Sequence, residues 1–323
     1  AITQGTHQFF KDEDYFHLDP NVITINECEG GAGVFQVTEY DLSEADKLPI
    51  KDKKYDWSKD HFGKPVFLTV SSQLQLEAIS CALGSVYTTN KSFRSEHSST
   101  NKHVSEFTHL EIEDIFIQLK DLMNIGEKYI KYLADYLLTN CKAELEGLNK
   151  FVSKGIIDRI NEVKNSEFKK ITHYDAIELL QTSNITEKPK HGEDLSSEAE
   201  NWLTEHFKGP VFVTHWPIEI KSFYMKQCDD GTCESFDLLM PYKIGELIGG
   251  SMREEGYEKL MTMMEKKNVD AEKLKFYTDL RKFGTVPHGG FGLGVDRLCM
   301  LFTGMENIKD VIPFPVQYKN CEL

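Results

Sequence analysis

Gly290-Phe291-Gly292-Leu293-Gly294-Val295-Asp296-Arg297 is the stretch whose reading decides the rest. Side chains alternate across a strand, so three glycines at every second position strip one face. A flat ring can then lie against bare backbone. The dinucleotide-binding fingerprint needs its third glycine at position 295, where Val295 stands, so this is a different device. Arg297 comes next, at the start of the following helix, and sets a cation beside the bared strand.

Working outward, Phe93-Arg94-Ser95-Glu96 precedes the polar loop His97-Ser98-Ser99-Thr100-Asn101-Lys102 and then His103-Val104-Ser105-Glu106-Phe107. Arg94 and Glu96 are two apart and share a strand face. A guanidinium for phosphate and a carboxylate for an exocyclic amine suit a nucleotide. Alone, the pair reads as a cross-strand ion pair; its surroundings give it the other meaning. Val86 to Phe93 and His103 to Glu113 read as an antiparallel pair with a long tip. Val66 to Val70, Val211 to Thr214, Phe236 to Met240 and Glu246 to Ser251 also read as strands. Helices are expected before Asp14, over Gln73–Leu83, over Ile115–Leu138, within 140–168, over Glu254–Lys267 and Ala271–Lys282, and from Asp296 to Phe302. Several strands are sequential, which favours an α+β fold, a mostly antiparallel sheet flanked by helices, over a doubly wound one.

The chain has 323 residues, enough for one large domain or two ordinary ones. Its formal net charge of −15 argues against nonspecific coating of nucleic acid, which needs surplus Lys and Arg; a structured RNA held by a local basic patch stays open. No apolar run reaches the length of a transmembrane helix. The N-terminus lacks the pattern of a signal peptide and also lacks Met, as a cut or processed chain would. The seven cysteines are scattered, and only Cys228 and Cys233 lie close; with no second pair to complete a zinc set, reduced cytosolic thiols are expected.

The stretches around Arg94 and Arg297 together resemble motifs 2 and 3 of the class II aminoacyl-tRNA synthetases. The resemblance covers nearly the whole chain. Tyr15 to Phe35, with Pro20 and Cys28-Glu29-Gly30-Gly31-Ala32, resembles motif 1 and the segment after it. Phe67 to Glu77, Ile218 to Met225, Gly245 to Glu254 and Gly284 to Gly290 are similar to segments of the asparaginyl-tRNA synthetases.

The resemblance implies one class II catalytic domain over residues 1–323, with a six- to seven-stranded sheet and a helical insertion near 140–200. It also implies that the family's N-terminal anticodon-binding OB domain is absent from this chain. The activity implied is asparagine–tRNA ligase: asparagine and ATP give asparaginyl-adenylate and pyrophosphate, and asparagine then passes to the 3′ end of tRNA(Asn). Arg94 would hold the α-phosphate and the substrate carboxylate, Glu96 the adenine amine, His103 the outer phosphates, Phe107 one adenine face, and Arg297 the other face and the γ-phosphate. Asp237 and Glu246 would hold magnesium. Glu29, Ser71 and Gln73 would take the α-amino group, Arg253 and Glu77 would read the side-chain amide, and His288 would line the same pocket. At ~4 Å and an effective dielectric of ~20, Glu77 would repel an aspartate carboxylate by about 4 kcal/mol.

Plainer readings stand beside these: Asp237 and Glu246 as sheet-surface acids, His288 as a capping residue, Glu77 on a solvent face, Phe107 as core. Lys102 replaces the usual Arg, Val316 comes after Phe314-Pro315 where the family has Arg, and the segment between Asp237 and Glu246 is one residue longer than usual. The resemblance further implies a homodimer built around the Pro20 segment, contact with the tRNA acceptor end through His97–Lys102, and a cytoplasmic location, mitochondrion or plastid being the alternative. Two rivals are weighed against it: a paralogue making asparagine through aspartyl-adenylate, and a non-catalytic binding module. Glu77 counts against the first, and the joint presence of Arg94, Glu96, Glu246 and Arg297 against the second.

Overall fold

The structure is a computed structural model and describes residues 1–25, 33–98 and 100–322. Its centre is an eight-stranded sheet. The strands are β1 (Phe16–His17), β2 (Val86–Phe93), β3 (Glu106–Ile115), β4 (Lys169–Thr172), β5 (Val211–Thr214), β6 (Ser235–Met240), β7 (Gly245–Met252) and β8 (His288–Gly294). Their order across the sheet is β1-β2-β3-β8-β7-β6-β5-β4. The inner pairs are all antiparallel, and only the outermost strands β1 and β4 run parallel to their neighbours. The sheet is therefore wider than the six to seven strands expected. The short outermost strands explain the difference: two and four residues carry too little alternation to read.

Ten helices are described: α1 (Ile2–Asp12), α2 (Gln73–Leu83), α3 (Leu119–Asn140), α4 (Lys142–Phe151), α5 (Ile156–Asn165), α6 (His173–Gln181), α7 (Ser197–Phe207), α8 (Tyr257–Lys266), α9 (Lys275–Phe283) and α10 (Val295–Thr303). The stretch near 140–200 holds α4, α5 and α6 but also β4, so it joins the sheet as well as covering it. Helix α3 begins at Leu119, not Ile115, because β3 runs on to Ile115 and a reciprocal cap between Gln118 and Asp121 fixes the first turn. Its Leu122, Tyr129, Ile130, Leu133 and Ala134 are fully buried.

Every residue of β5 and β6 is buried, which is why they read as unbroken apolar runs. Alternate residues go to opposite layers. Phe212 joins Phe236 and Leu238 in a core with α1, α3 and α10. Val211 and Val213 join Leu239 in a second core with α6, α7, α8 and α9. Cross-strand partners share a face. One row therefore runs Glu111–Gly292–Gly249–Asp237 across β3, β8, β7 and β6, and the next runs Glu113–Gly290–Ser251–Ser235. The glycines at the middle of these rows open a trough between flanking polar side chains.

Between Asp237 and Glu246 the chain turns through Tyr242 and Lys243, both with positive φ. The register then slips between Leu238 and Leu239, which face Ile248 and Glu246, so Leu247 is extra. That bulge twists β7 where Glu246 leaves it.

Candidate active site

The trough consists of two connected hollows. The first, about 270 Å³, is lined by Ser71, Gln73, Glu111, Lys221, Tyr224, Asp237 and Arg253, among others. The second, about 240 Å³, is lined by Glu96, Lys102, His103, Phe107 and Arg297, among others. Arg94, His109, Glu246, Gly249 and Gly292 line both and mark where the two meet.

Glycine is required at that junction. A Cβ at Gly292 would lie 2.5 Å from His109 Nε2, and one at Gly249 would lie 2.9 Å from Glu246 Oε1 and 3.7 Å from Asp237 Oδ1. The same point over Gly249 thus brings two carboxylates together. Asp237 Oδ2 accepts from Lys221 Nζ at 2.7 Å, which leaves Oδ1 toward Glu246. Burial pushes Asp237 up to about 7; Lys221 opposes this and Glu246 adds to it. Two acids forced together with one cation on the outer oxygen form a donor set that fits a hard divalent cation.

In the second hollow the Arg94 guanidinium lies 5.6 Å from the Phe107 ring centroid. Arg297, on the first turn of α10, donates to the backbone oxygens of Glu246 and Lys102. His103 accepts or donates at 2.5 Å with Thr100 Oγ1, and burial, with Arg297 close by, lowers its pKa. Glu200 on α7 was not anticipated. It is pushed up to about 7 by burial, with Glu246 adding to the push and Lys102 opposing it.

At the far end of the first hollow, Glu111 ties down the start of α2. Ser71 Oγ donates to one of its oxygens, and Ser72 N donates to the other at 2.8 Å. Arg253 is 3% exposed. Its Nε donates to Glu113 Oε1 at 3.0 Å, its Nη2 to Glu113 Oε2 at 2.8 Å, and its Nη1 to Ser251 Oγ at 2.8 Å.

Glu77 and His288 lie behind this wall and do not line the hollow; both are 0% exposed. The structure thus does not bring Glu77 or His288 to the lining of the hollow, where the resemblance set them. The Glu77 oxygens are taken by Gln73 Nε2 at 2.9 Å, Tyr277 OH at 2.9 Å, Arg281 Nη2 at 2.6 Å and His288 Nε2 at 3.0 Å. Burial works against its ionisation, yet Arg281, His288 and Arg253 together hold the carboxyl below the usual range. His288 Nδ1 faces the Val286 carbonyl at 2.7 Å while Nε2 faces a carboxylate, so both nitrogens must donate and the ring is a cation. Burial opposes that charge, and Glu77 outweighs it and raises the pKa. Glu77, Glu113 and His288 bring ligand atoms within 4.8 Å of one another. Arg253 and Arg281 already supply the positive charge there, so the cluster is an ion network and not a metal set.

The trough thus brings together Arg94, Glu96, His103, Phe107, Glu246, Arg297, Ser71, Gln73, Arg253 and Asp237. Glu29 lies outside the described residues. The sequence reading missed Glu111 and Glu113, although acids alternating with Leu110 and Ile112 on one strand were a legible signal. It also missed Tyr277 and Arg281, one helical turn apart on α9.

An antiparallel sheet with glycine rows, an arginine from the hairpin strand and a second arginine opening the last long helix define a class II synthetase catalytic domain. The chain belongs to the family of class II tRNA synthetases (D, K and N), which matches residues 1–318. The asparagine–tRNA ligase of Clostridium botulinum is 44% identical over 315 residues, covering 96% of this chain and 67% of that protein. That of Acholeplasma laidlawii is 43% identical over 318 residues, covering 97% and 68%. The asparaginyl-tRNA synthetase of Pyrococcus horikoshii complexed with asparaginyl-adenylate superposes with a TM-score of 0.84 at 31% identity, covering 98% of this chain and 66% of that one. The chain therefore spans about two thirds of the length of these relatives.

Proposed function

We infer that this chain is an asparagine–tRNA ligase: it activates asparagine with ATP and transfers it to the 3′ end of tRNA(Asn). The observation that carries this is the continuous trough with Arg253 at one end, Arg94 at the junction and Arg297 at the other end. Relatives of 43–44% identity that bear this activity support it.

The asparagine carboxylate attacks the α-phosphorus and pyrophosphate leaves, a step that needs no acid–base residue. Arg94 neutralises charge at the α-phosphate where the hollows meet. Glu96 and Phe107 seat the adenine, and His103 and Arg297 meet the outer phosphates. Positioning and fixed positive charge carry the rate. Asp237 and Glu246 would hold magnesium, which neutralises phosphate charge when bound. Ser71 and Gln73, with Glu29, take the α-amino group, and Arg253 donates to the side-chain carbonyl. A ribose hydroxyl of the tRNA acceptor end then attacks the adenylate.

We propose a homodimer built around the Pro20 segment, near which Phe16, Ile23, Ile25 and Phe35 are exposed apolar residues. The six described cysteines are free thiols, which supports a reducing compartment such as the cytoplasm. No described helix is long and apolar enough to cross a membrane. ATP–pyrophosphate exchange with asparagine and aspartate in parallel tests the reading. Exchange with asparagine is expected, and exchange with aspartate alone would replace it with the aspartyl-adenylate reading.

A further inference from the structure

We infer that the turn Tyr318-Lys319 backs the ring of His97, and that the two stacked rings form a platform for the unpaired bases at the 3′ end of tRNA. The platform rests on the tRNA-charging reading above. The loop that carries His97 is the one the resemblance sets against the acceptor end. The turn behind it, and the joint use of the two rings, are features of this chain.

His97 follows Glu96 after the end of β2, and its side chain is exposed. It stacks on Tyr318 with ring centroids 4.6 Å apart and planes 26° from parallel. Tyr318 is itself 36% exposed. It stands at the corner of a tight turn closed by Gln317 and Asn320, whose backbone N–H groups donate to each other's oxygens at 2.9 Å. Lys319, the other corner residue, has positive φ, and its Nζ lies 5.1 Å from the Tyr318 ring centroid. The segment that carries the turn is tied to both arms of the loop. Ser105 N donates to Val316 O at 2.7 Å, and Ile308 N donates to Asn101 O at 2.9 Å. Asn101 Nδ2 donates to Glu306 O at 2.9 Å. Val316, a departure from the family pattern, thus joins through its backbone oxygen.

Neither ring lines the second hollow, although Glu96, Lys102 and His103 of the same loop do. The pair therefore stands at the rim of the nucleotide site and outside it. An aromatic face stacks on any unpaired base, and single-stranded RNA is the form in which bases are free to stack. Phosphates need a cation close by, and a net charge of −15 leaves that to local residues. Lys319 supplies it beside the rings. Of the nearest acids, Glu96 is turned to the second hollow, Glu106 lies 3.4 Å from Lys91, and Glu322 is exposed past the turn. A 3′ end that delivers its ribose hydroxyl to the adenylate brings its preceding unpaired nucleotides to this rim.

Two RNA probes test the idea by fluorescence anisotropy: the tRNA(Asn) acceptor stem as a duplex with its single-stranded 3′ extension, and the same duplex made blunt. The parent should bind the extended duplex more tightly. Tyr318→Ala should bind it about five- to a hundredfold more weakly than the parent, the usual loss for one stacked base, and should bind the blunt duplex as the parent does. Tyr318→Phe keeps the ring and should match the parent on both. Lys319→Ala should weaken both duplexes and lower the salt slope by about one. ATP–pyrophosphate exchange needs no tRNA, and Tyr318→Ala should hold it within about twofold of the parent. A parent that binds both duplexes alike, or a Tyr318→Ala that keeps the parent's preference, overturns the inference. So does a Tyr318→Ala loss that falls equally on both duplexes or that comes with a matching loss of exchange, since the turn would then only brace the loop. A parent chain that shows no exchange with asparagine overturns the functional reading instead.

Discussion

Replacing Glu77 with Ala should cost more stability than any other single substitution of a polar side chain behind the first hollow. The Glu77 carboxylate is fully buried and accepts from Arg281 at 2.6 Å, His288 at 3.0 Å, Tyr277 at 2.9 Å and Gln73 at 2.9 Å. Two of these donors are cations with no route to water. Removing one partner of a buried ion pair typically costs 3–5 kcal/mol, because the remaining charge stays buried without compensation. At about 2 °C per kcal/mol for a chain of this size, the melting temperature should fall by about 6–10 °C. The pH dependence of the His288 contribution should also change sign. In the parent, the raised pKa of His288 means its contribution is complete below the ordinary histidine pKa and fades as pH rises through the folded value. In Glu77→Ala the ring has lost its counterion and keeps Arg281 beside it, so burial depresses its pKa. The stability gap between variant and parent should therefore narrow from pH 6 to 8, on top of the fall with pH that the raised carboxyls of Asp237, Glu113 and Glu200 give the parent. Thermal unfolding followed by circular dichroism at pH 6, 7 and 8 measures both effects. A melting temperature within 2 °C of the parent at every pH would mean that the carboxylate is not in this network. The argument for its place behind the pocket wall would then fail.

Arg94→Ala and Arg297→Ala should each lower exchange by about 10²–10³-fold, the usual loss for one preorganised donor to developing charge, with the melting temperature little changed. A chelator should abolish exchange and added magnesium should restore it, through the carboxylates that converge over Gly249; full activity in the chelator would remove Asp237 and Glu246 from the mechanism. Gly290→Ala should give little folded protein, because its Cβ would lie 2.0 Å from the Ile112 backbone oxygen, a contact no rotamer change relieves. Soluble expression and melting temperature check this, and a parent-like Gly290→Ala would contradict the packing described.

The range of the forces involved decides how much of the fold was legible in the sequence. The inner strands were readable because each is a run long enough to show alternation or unbroken burial, β5 and β6 above all. The edge strands β1 and β4 were not, since pairing with a neighbour, and not a pattern of their own, makes them strands. Helix α3 was placed four residues early because Ile115 fits its apolar spacing, while the Gln118–Asp121 cap that sets the true start is a local hydrogen-bond choice. The trough was legible wherever its residues sit in one short segment, as Arg94 with Glu96 or Gly292 with Arg297 do. Lys221 lay inside a segment already singled out, yet its pairing with Asp237 depends on where a short 3₁₀ turn points it.

Glu77 shows where such reading stops, and why. The resemblance to asparaginyl-tRNA synthetases set it at the side-chain amide, and in the structure it does reach Gln73, four residues before it on α2. A carboxylate, however, goes to whichever donors offer most, and in a buried site those are cations. Arg281 and Tyr277 stand 204 and 200 residues further along the chain. Nothing local to residue 77 records them. Once they are in place, an acid that reads as a specificity element becomes an anchor: two cations and a hydroxyl drawn from α9 and β8 hold the carboxylate of α2, and that cross-tie fixes the wall against which the first hollow is built.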